Sequence, residues 1–598
     1  MPKAPRPSSQ DTAPQHDGPS RRSVLKGAAG TALATGTFTG LSKPATAAEL
    51  MYDVVVIGSG AAGMTAALTA AKRGLRAVVI EKAATFGGST ARSGAGIWIR
   101  GNEVLTQAGV IDTPAQAATY LDQVVGDIVP AARKAAFLAQ GPAMISFILR
   151  NSPLRFRWMA GYSDYYPELP GGLPNGASIE PDQFNGKLLG AELARLAPPY
   201  LAVPPGLVIF GGEYKWLNLA AVSAKGLSVA LNCAGRYIEA KLRGEVPLTM
   251  GQALAAGLRA GLLSAQVPVW LDTPMQDLHF DAQGRAAGVI VSKDGVPTLI
   301  KASRGVVIAS GGFEHNLAMR QAYQQQPIGT DWTVGARSNT GDGIRAGIRA
   351  GADLALMDDA WWGPTIPLPG APYFCLAERT LPGSILVNGD GARFVNEAAP
   401  YTDVVHTLYE RNGSGQTIPA WLIVDQRYRN RYLFRDLPPI VPLPQAWYDS
   451  GAVVRDLTLD GLALKLGMRP GALRATVRRF NGFAETGKDL DFHRGDSAYD
   501  HYYTDPAVRP NSCLAALKWA PFYAFKIVPG DLGTKGGLRT YDKARVLRPD
   551  GTAIPGLYAA GNASASVMGR SYAGAGATIG PAMTFGYVAA NHIADTAG

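Results

Sequence analysis

Between Tyr52 and Lys82 the chain reads YDVVVIGSGAAGMTAALTAAKRGLRAVVIEK, a segment that few folds can accommodate. Asp53 to Ile57 is an apolar, β-branched run with the character of a buried strand. Gly58-x-Gly60-x-x-Gly63 turns that strand into an alanine-rich helix, and Val78 to Ile80 forms a second strand ending at Glu81. A lone glycine motif would be weak evidence, but here strand, helix and acid stand in the order of a dinucleotide-binding βαβ unit. The glycines give the tight turn and the close phosphate approach, the helix N-terminus faces the pyrophosphate, and Glu81 can accept ribose hydroxyls. Gly58, Gly60, Ala62, Gly63 and Glu81 are therefore the first candidate cofactor contacts, and the glutamate disfavours a 2′-phosphate. The fold class is accordingly α/β, with a Rossmann-like nucleotide domain.

At 598 residues, 47% of them hydrophobic and 17% charged, the chain is long enough for two or more domains. Its 71 glycines show no Gly-X-Y period, so a fibrous fold is excluded. The net charge is +10, but residues 1–47 hold six basic and two acidic side chains, leaving +6 for the remainder. No Lys/Arg-rich run lies beyond them, which points to solubility and away from nucleic acid. The first 47 residues include Arg21-Arg22, a Gly/Ala-rich apolar stretch and the small-residue site Ala45-Thr46-Ala47. This pattern predicts twin-arginine export with cleavage near Ala47, and hence a periplasmic or extracytoplasmic location. Cys233, Cys375 and Cys513 lie far apart and the seven histidines show no ligand spacing, so no metal site is expected.

The residues after Glu81 bear on the choice between FAD and NAD. ATFGGSTARSGAGIWI is a Gly/Ser-rich segment able to run along a long cofactor, with Lys82, Gly87, Gly88, Ser89, Ser93 and Gly94 as candidate contacts. GVVIASGGFEHN and IPGLYAAGNASAS are apolar strands ending in small-residue turns, which add Gly311, Gly312, Gly561 and Asn562. Asp342 in NTGDGI is expected at a helix N-terminus near the cofactor. A nucleotide domain whose strands return near the C-terminus, with other material threaded between, is typical of flavoproteins.

Several segments carry a more specific likeness: FGGSTARSGAGIW, GYSDYYPELPGG, DDAWWGPTIP, GARFVNEAAPY, DFHRGDSAYD, PGDLGTKGGLRT and GLYAAGNASASVMGRSYAGAGATIGPAMTFGY. From about Tyr52 to Ala590 the chain resembles the bacterial 3-ketosteroid Δ1-dehydrogenases, relatives of the fumarate reductase flavoproteins. The resemblance implies non-covalent FAD, 1,2-desaturation of a 3-ketosteroid, and an external electron acceptor, a quinone or another carrier. It implies an FAD domain from 48–359 and 534–598 with an inserted α+β catalytic domain at 360–533. It also matches Tyr401 to the family's base, Tyr165 to a supporting tyrosine, and Phe374 to a pocket residue. Tyr572 and the Gly576 N–H match the oxyanion hole, which suits the chemistry: a C2 hydrogen is acidic only insofar as its charge moves onto the C3 oxygen. Asp358 and Asp359 are expected to hold a turn and are given no chemistry.

The stretch from about 198 to 248 lies outside the compact pattern. It sets Tyr214, Trp216 and Tyr237 beside Lys225, Arg236 and Lys241, with no apolar run long enough to cross a bilayer. Such a segment suits peripheral contact with a membrane, or packing on the enzyme or at a subunit contact. Other functions on the same fold are a fumarate-reductase-like activity, a Δ4-dehydrogenase of 5α-3-ketosteroids, and a sterol-binding protein with an inert flavin.

Overall fold

The second half of strand β1 (Leu50–Ile57), from Val54 on, is continuously apolar because both of its faces are covered: Val54, Val55 and Val56 have no exposed surface. Its parallel neighbours account for this, since Val55 pairs with Val306 in the strand Val296–Ile308 and with Val78 in β2 (Ala77–Ile80). Gly58 then breaks the strand at φ +106°, and a Cβ there would lie 2.4 Å from the Ala309 oxygen, so only glycine fits. The chain passes into α1 (Ala61–Lys72), whose Gly60 N-cap supplies no side-chain cap, while the Ala61 N–H donates to the Thr90 hydroxyl at 2.9 Å.

The computed structural model describes residues 50–201 and 203–596. The predicted export signal lies outside the described residues. The sheet built on β1 has eight strands and runs from Arg545–Leu547 through Ala553–Ala559, Val296–Ile308, β1 and β2 to Val269–Trp270. Met275–Phe280 and Ala286–Lys293 extend it as an antiparallel addition to Val296–Ile308. The two later strands expected from GVVIAS and IPGLYAAG thus lie side by side, pairing Val306 with Leu557. The helix Ile579–Asp595 shares a core with α1, its Phe585 and Ala589 packed in one cluster with Met64 and Leu68.

A second sheet of six antiparallel strands draws all of its residues from 360 to 534. The long strand Phe522–Thr534 organises it, pairing through one half with Ala360–Ile366 and through the other with Ala420–Asp425. One face buries Tyr428, Tyr432 and Trp447, and the other packs on Leu473, Val477 and Phe480 of the helix Ala472–Thr486. The helix Tyr401–Gly415 lies against Ala360–Ile366. Its entry is set by Pro400, whose fixed φ suits the start of a helix and makes Tyr401 the first helical residue.

Candidate active site

A cleft of about 430 Å³ runs from the turn after β1 to the small residues around Tyr572, within the size range of small-molecule sites. Its nucleotide end is lined by Gly58, Gly60, Ala62, Glu81, Lys82, Gly88, Ser89, Ser93, Gly94, Gly311, Asp342, Gly561 and Asn562. Three glycines expected there, Gly63, Gly87 and Gly312, are not part of the lining; they stand behind it, where backbone and side chains pack too closely for a Cβ. Glu81 is held by the Ser59 N–H and hydroxyl at 3.0 and 2.7 Å and by the Ala83 N–H at 2.9 Å. A carboxylate offers about four lone-pair sites, so one remains for a ribose hydroxyl. Lys82 and Asp342 meet each other at 2.5 Å at the cleft edge, and Asp342 begins the helix Asp342–Arg349 as expected.

At the other end, tyrosines from distant parts of the chain converge. Tyr165, in the loop before Ser178–Pro181, donates its hydroxyl to that of Tyr401 at 3.2 Å. Its ring stacks on Tyr572 at 5.2 Å, and the Tyr401 ring lies edge-on to both Tyr572 and Phe374, again at 5.2 Å. The Ala573 carbonyl is clamped by the Tyr120 hydroxyl at 2.6 Å and the Tyr165 N–H at 3.1 Å. Gly576 comes next at φ +96°, where a Cβ would lie 2.1 Å from the Gly96 carbonyl carbon, so the run must be side-chain-free to fit against its neighbour.

The hydroxyls differ in character. Burial raises the Tyr572 phenol, but the Thr578 hydroxyl, Tyr401 and the Gly576 N–H all favour its anion. Burial pushes Tyr401 well above the usual phenol range, Tyr572 and Tyr162 add to this, and the bond from Tyr165 opposes it. Thr578 donates to the Tyr572 oxygen at 3.0 Å, which leaves the phenol proton free to point into the cleft.

Comparison with known proteins decides the family. Residues 53–579 match the FAD binding domain family. The chain is 54% identical over 557 residues to a 3-oxosteroid 1-dehydrogenase of Mycobacterium tuberculosis, covering 92% of this chain and 99% of that one. A second 3-oxosteroid 1-dehydrogenase, from Mycolicibacterium smegmatis, is 53% identical over 91% of this chain and 98% of its own. The chain belongs to the 3-oxosteroid 1-dehydrogenase family. Among solved structures, the 3-ketosteroid delta1-dehydrogenase of Sterolibacterium denitrificans in complex with 1,4-androstadiene-3,17-dione superposes with a TM-score of 0.87 at 41% identity, covering 91% of this chain and all of that one.

FAD is the cofactor of this dehydrogenase, and the residues present fit it: the α1 N-terminus, the remaining acceptor site on Glu81 and the small-residue lining form one continuous cradle. Residues that sequence reading missed also line the dehydrogenase's cleft. Tyr200, Leu201, Gly211 and Tyr214 come from the extra stretch, with Tyr162, Tyr503 and Thr578 from elsewhere. Tyr200 is a brace as well, donating to the Pro372 carbonyl at 2.6 Å and accepting from the Phe374 N–H at 3.0 Å. Two expectations for that stretch change accordingly: Tyr214 faces the cleft, and Arg236 turns inward onto Glu213 at 2.6 Å and onto the Phe210 ring. Trp216 packs on buried residues of the second sheet. Asp359 holds a buried junction, accepting from Trp362 at 2.6 Å and lying 2.9 Å from His406 and 3.2 Å from Lys535, while Asp358 pairs with Arg570.

Proposed function

We propose that this FAD-dependent dehydrogenase desaturates the C1–C2 bond of 3-ketosteroids, with Tyr572 and Gly576 holding the C3 oxygen and Tyr401 taking the C2 proton. The observation that carries the assignment of roles is the meeting of Tyr401, from the second sheet's layer, with Tyr165 and Tyr572 at the end of the nucleotide cleft. As the C2 proton leaves, charge develops on the C3 oxygen. A phenol O–H and a backbone N–H placed at that position would gain strength as it does so, each worth roughly 3 kcal/mol in comparable sites. FAD, when bound, would supply the acceptor for the C1 hydride, chemistry that no side chain here can supply. Tyr401 must present an unprotonated oxygen toward C2, and the Tyr165 hydroxyl stabilises that oxygen by donating to it. Phe374, Tyr200 and Tyr214 form apolar and aromatic walls suited to a flat polycyclic body. Anaerobic mixing of the holoenzyme with androst-4-ene-3,17-dione should bleach the flavin and yield the 1,4-diene; a product desaturated elsewhere, or no bleaching, would overturn the assignment.

The finer biology belongs to the same proposal. Turnover then needs an external electron acceptor, a quinone or another carrier, and the reaction belongs to steroid breakdown. The Arg21-Arg22 segment directs twin-arginine export of the folded holoenzyme. On the helix Ala224–Leu242, Leu227, Leu231, Ile238 and Leu242 are 53%, 63%, 59% and 84% exposed and fall on one face beside Lys241. This face meets a membrane surface peripherally, since no helix among the described residues is long and apolar enough to cross one.

A further inference from the structure

A phenol accepts a proton only as its anion, and the tyrosine cluster opposes that state. Burial is the first cause that holds Tyr401, Tyr165 and Tyr162 well above the ordinary phenol range, and the neighbouring phenols repel one another's charge. Such a cluster needs a positive charge that is not already neutralised.

Arg379 has no exposed surface, yet it forms no ion pair among the described residues. Its Nη1 donates to the carbonyl oxygens of Glu397 and Ala399, the latter at 2.9 Å, in the turn immediately before Pro400 and Tyr401. Its Nε and Nη2 are buried without a hydrogen-bond partner among the described residues. The next residue, Thr380, donates to the Tyr503 carbonyl at 3.1 Å, and Asn396 binds the Asp500 carboxylate at 3.0 Å. The Arg379 turn, the approach to Tyr401 and the segment 499–503 are thereby tied together. Tyr499 lies on that segment with its ring 4.6 Å from Tyr165, which in turn reaches Tyr401.

The other charged groups around this junction are committed. Glu397 is taken by Arg393 at 2.8 Å through both of its oxygens and by Arg494 at 3.2 Å. Glu378 accepts the Tyr373 phenol and the Arg435 N–H, and Asp403 accepts the Tyr166 phenol at 2.9 Å. Burial shifts Glu378, Asp403, Asp500 and the Cys375 thiol toward their neutral forms, although the Arg379 charge pulls against this at Glu378, Asp403 and Cys375. Lys535 and His406 both lie against Asp359. Against the burial that raises Tyr499, the charge of Arg379 is the largest opposing influence.

We infer that Arg379 is a positioning residue of the reaction, its buried guanidinium serving as counter-charge to the tyrosinate that takes the substrate proton, through Tyr499 and Tyr165, while fixing the turn that presents Tyr401. The inference rests on Tyr401 as the proton acceptor. In that step the C2–H bond breaks and its electron pair stays on the substrate and spreads to the C3 oxygen. An O–H bond forms on Tyr401, and the cluster loses its negative charge.

The test is the pH dependence of flavin reduction by saturating androst-4-ene-3,17-dione, followed anaerobically in FAD-loaded enzyme. In Arg379→Gln the midpoint above which reduction becomes fast should rise by about one pH unit or more, the order expected for one charge lost in a medium of effective dielectric near 20. Arg379→Lys, which keeps the charge, should stay near the parental midpoint even if its maximal rate falls, and Tyr499→Phe should move it upward. A uniform fall in rate at every pH in Arg379→Gln, with the midpoint unmoved, would reduce Arg379 to a structural brace. Should that variant fail to fold, an unmoved midpoint in Tyr499→Phe overturns the inference equally. Parental flavin reduction in Tyr401→Phe would refute the assignment of the base instead, whatever Arg379 shows.

Discussion

The Tyr572 oxygen receives the Thr578 hydroxyl at 3.0 Å, so its own proton stays available to a hydrogen-bond acceptor in the cleft. Replacing the phenol by Phe removes a donor that strengthens as charge develops. Flavin reduction in Tyr572→Phe should therefore fall by about 10²-fold or more, with a smaller change in steroid affinity, while slow solvent exchange of the C2 hydrogen persists. Tyr401→Phe should lose exchange and reduction together, and both variants should keep FAD. Thr578→Val leaves the donor but removes its orienting bond, so rapid-mixing rates should drop only about fivefold, in line with one hydrogen bond worth roughly 1 kcal/mol. Tyr401 and Tyr572 were legible because each sits in a distinctive local motif. Thr578, Tyr499 and Arg379 were not, because each acts on a partner that only the fold brings near, even though TIG and SAYD lie inside segments that carry the family likeness.

At the level of elements, the fingerprint was readable because its parts are contiguous: β1, the glycine turn, α1 and β2 succeed one another along the chain. The return of Ala553–Ala559 beside Val296–Ile308 could be expected only from their composition. The extra stretch is amphipathic, as expected, but its sides differ from expectation, since Tyr214, Trp216 and Arg236 turn inward and aliphatic side chains carry the outer face. Hydrophobicity and charge along a sequence do not say which flank of a helix meets protein, and that is decided by what packs beneath it. Placing Leu or Ile in an apolar medium gains about 1.5–3 kcal/mol per side chain. Leu231→Glu combined with Ile238→Glu should then lower co-sedimentation with anionic liposomes at least tenfold and leave turnover of a soluble steroid close to parental. Unchanged sedimentation would assign that face to another partner.

For the molecule as a whole, buried carboxyls set the response of stability to pH. Burial raises Glu314 and Glu180 to about 7 and Asp164 to about 6. The folded state therefore holds protons that the unfolded chain has released, and the stability these groups contribute is full below the unfolded pKa near 4 and is lost as pH climbs toward 7. Asp359, Asp489 and Glu397 are held low against burial, chiefly by Lys535 for Asp359 and by Arg393 for the other two. Their contribution is present above the unfolded pKa and disappears as pH falls. Thermal unfolding should peak near pH 5 and decline toward pH 8, and Glu314→Gln should flatten that decline. A flat profile in the parent would contradict this origin of the pH response. Gly58 and Gly576 border one cleft from opposite ends of the chain, and the helix Ile579–Asp595 just beyond Gly576 is packed on α1. During translation the glycine turn is made long before Gly576, so the cradle it begins stays open until that later segment has been added. A nascent chain of this protein must wait, its first strands uncovered, and a polypeptide broken off before Gly561 lacks one wall of its flavin site.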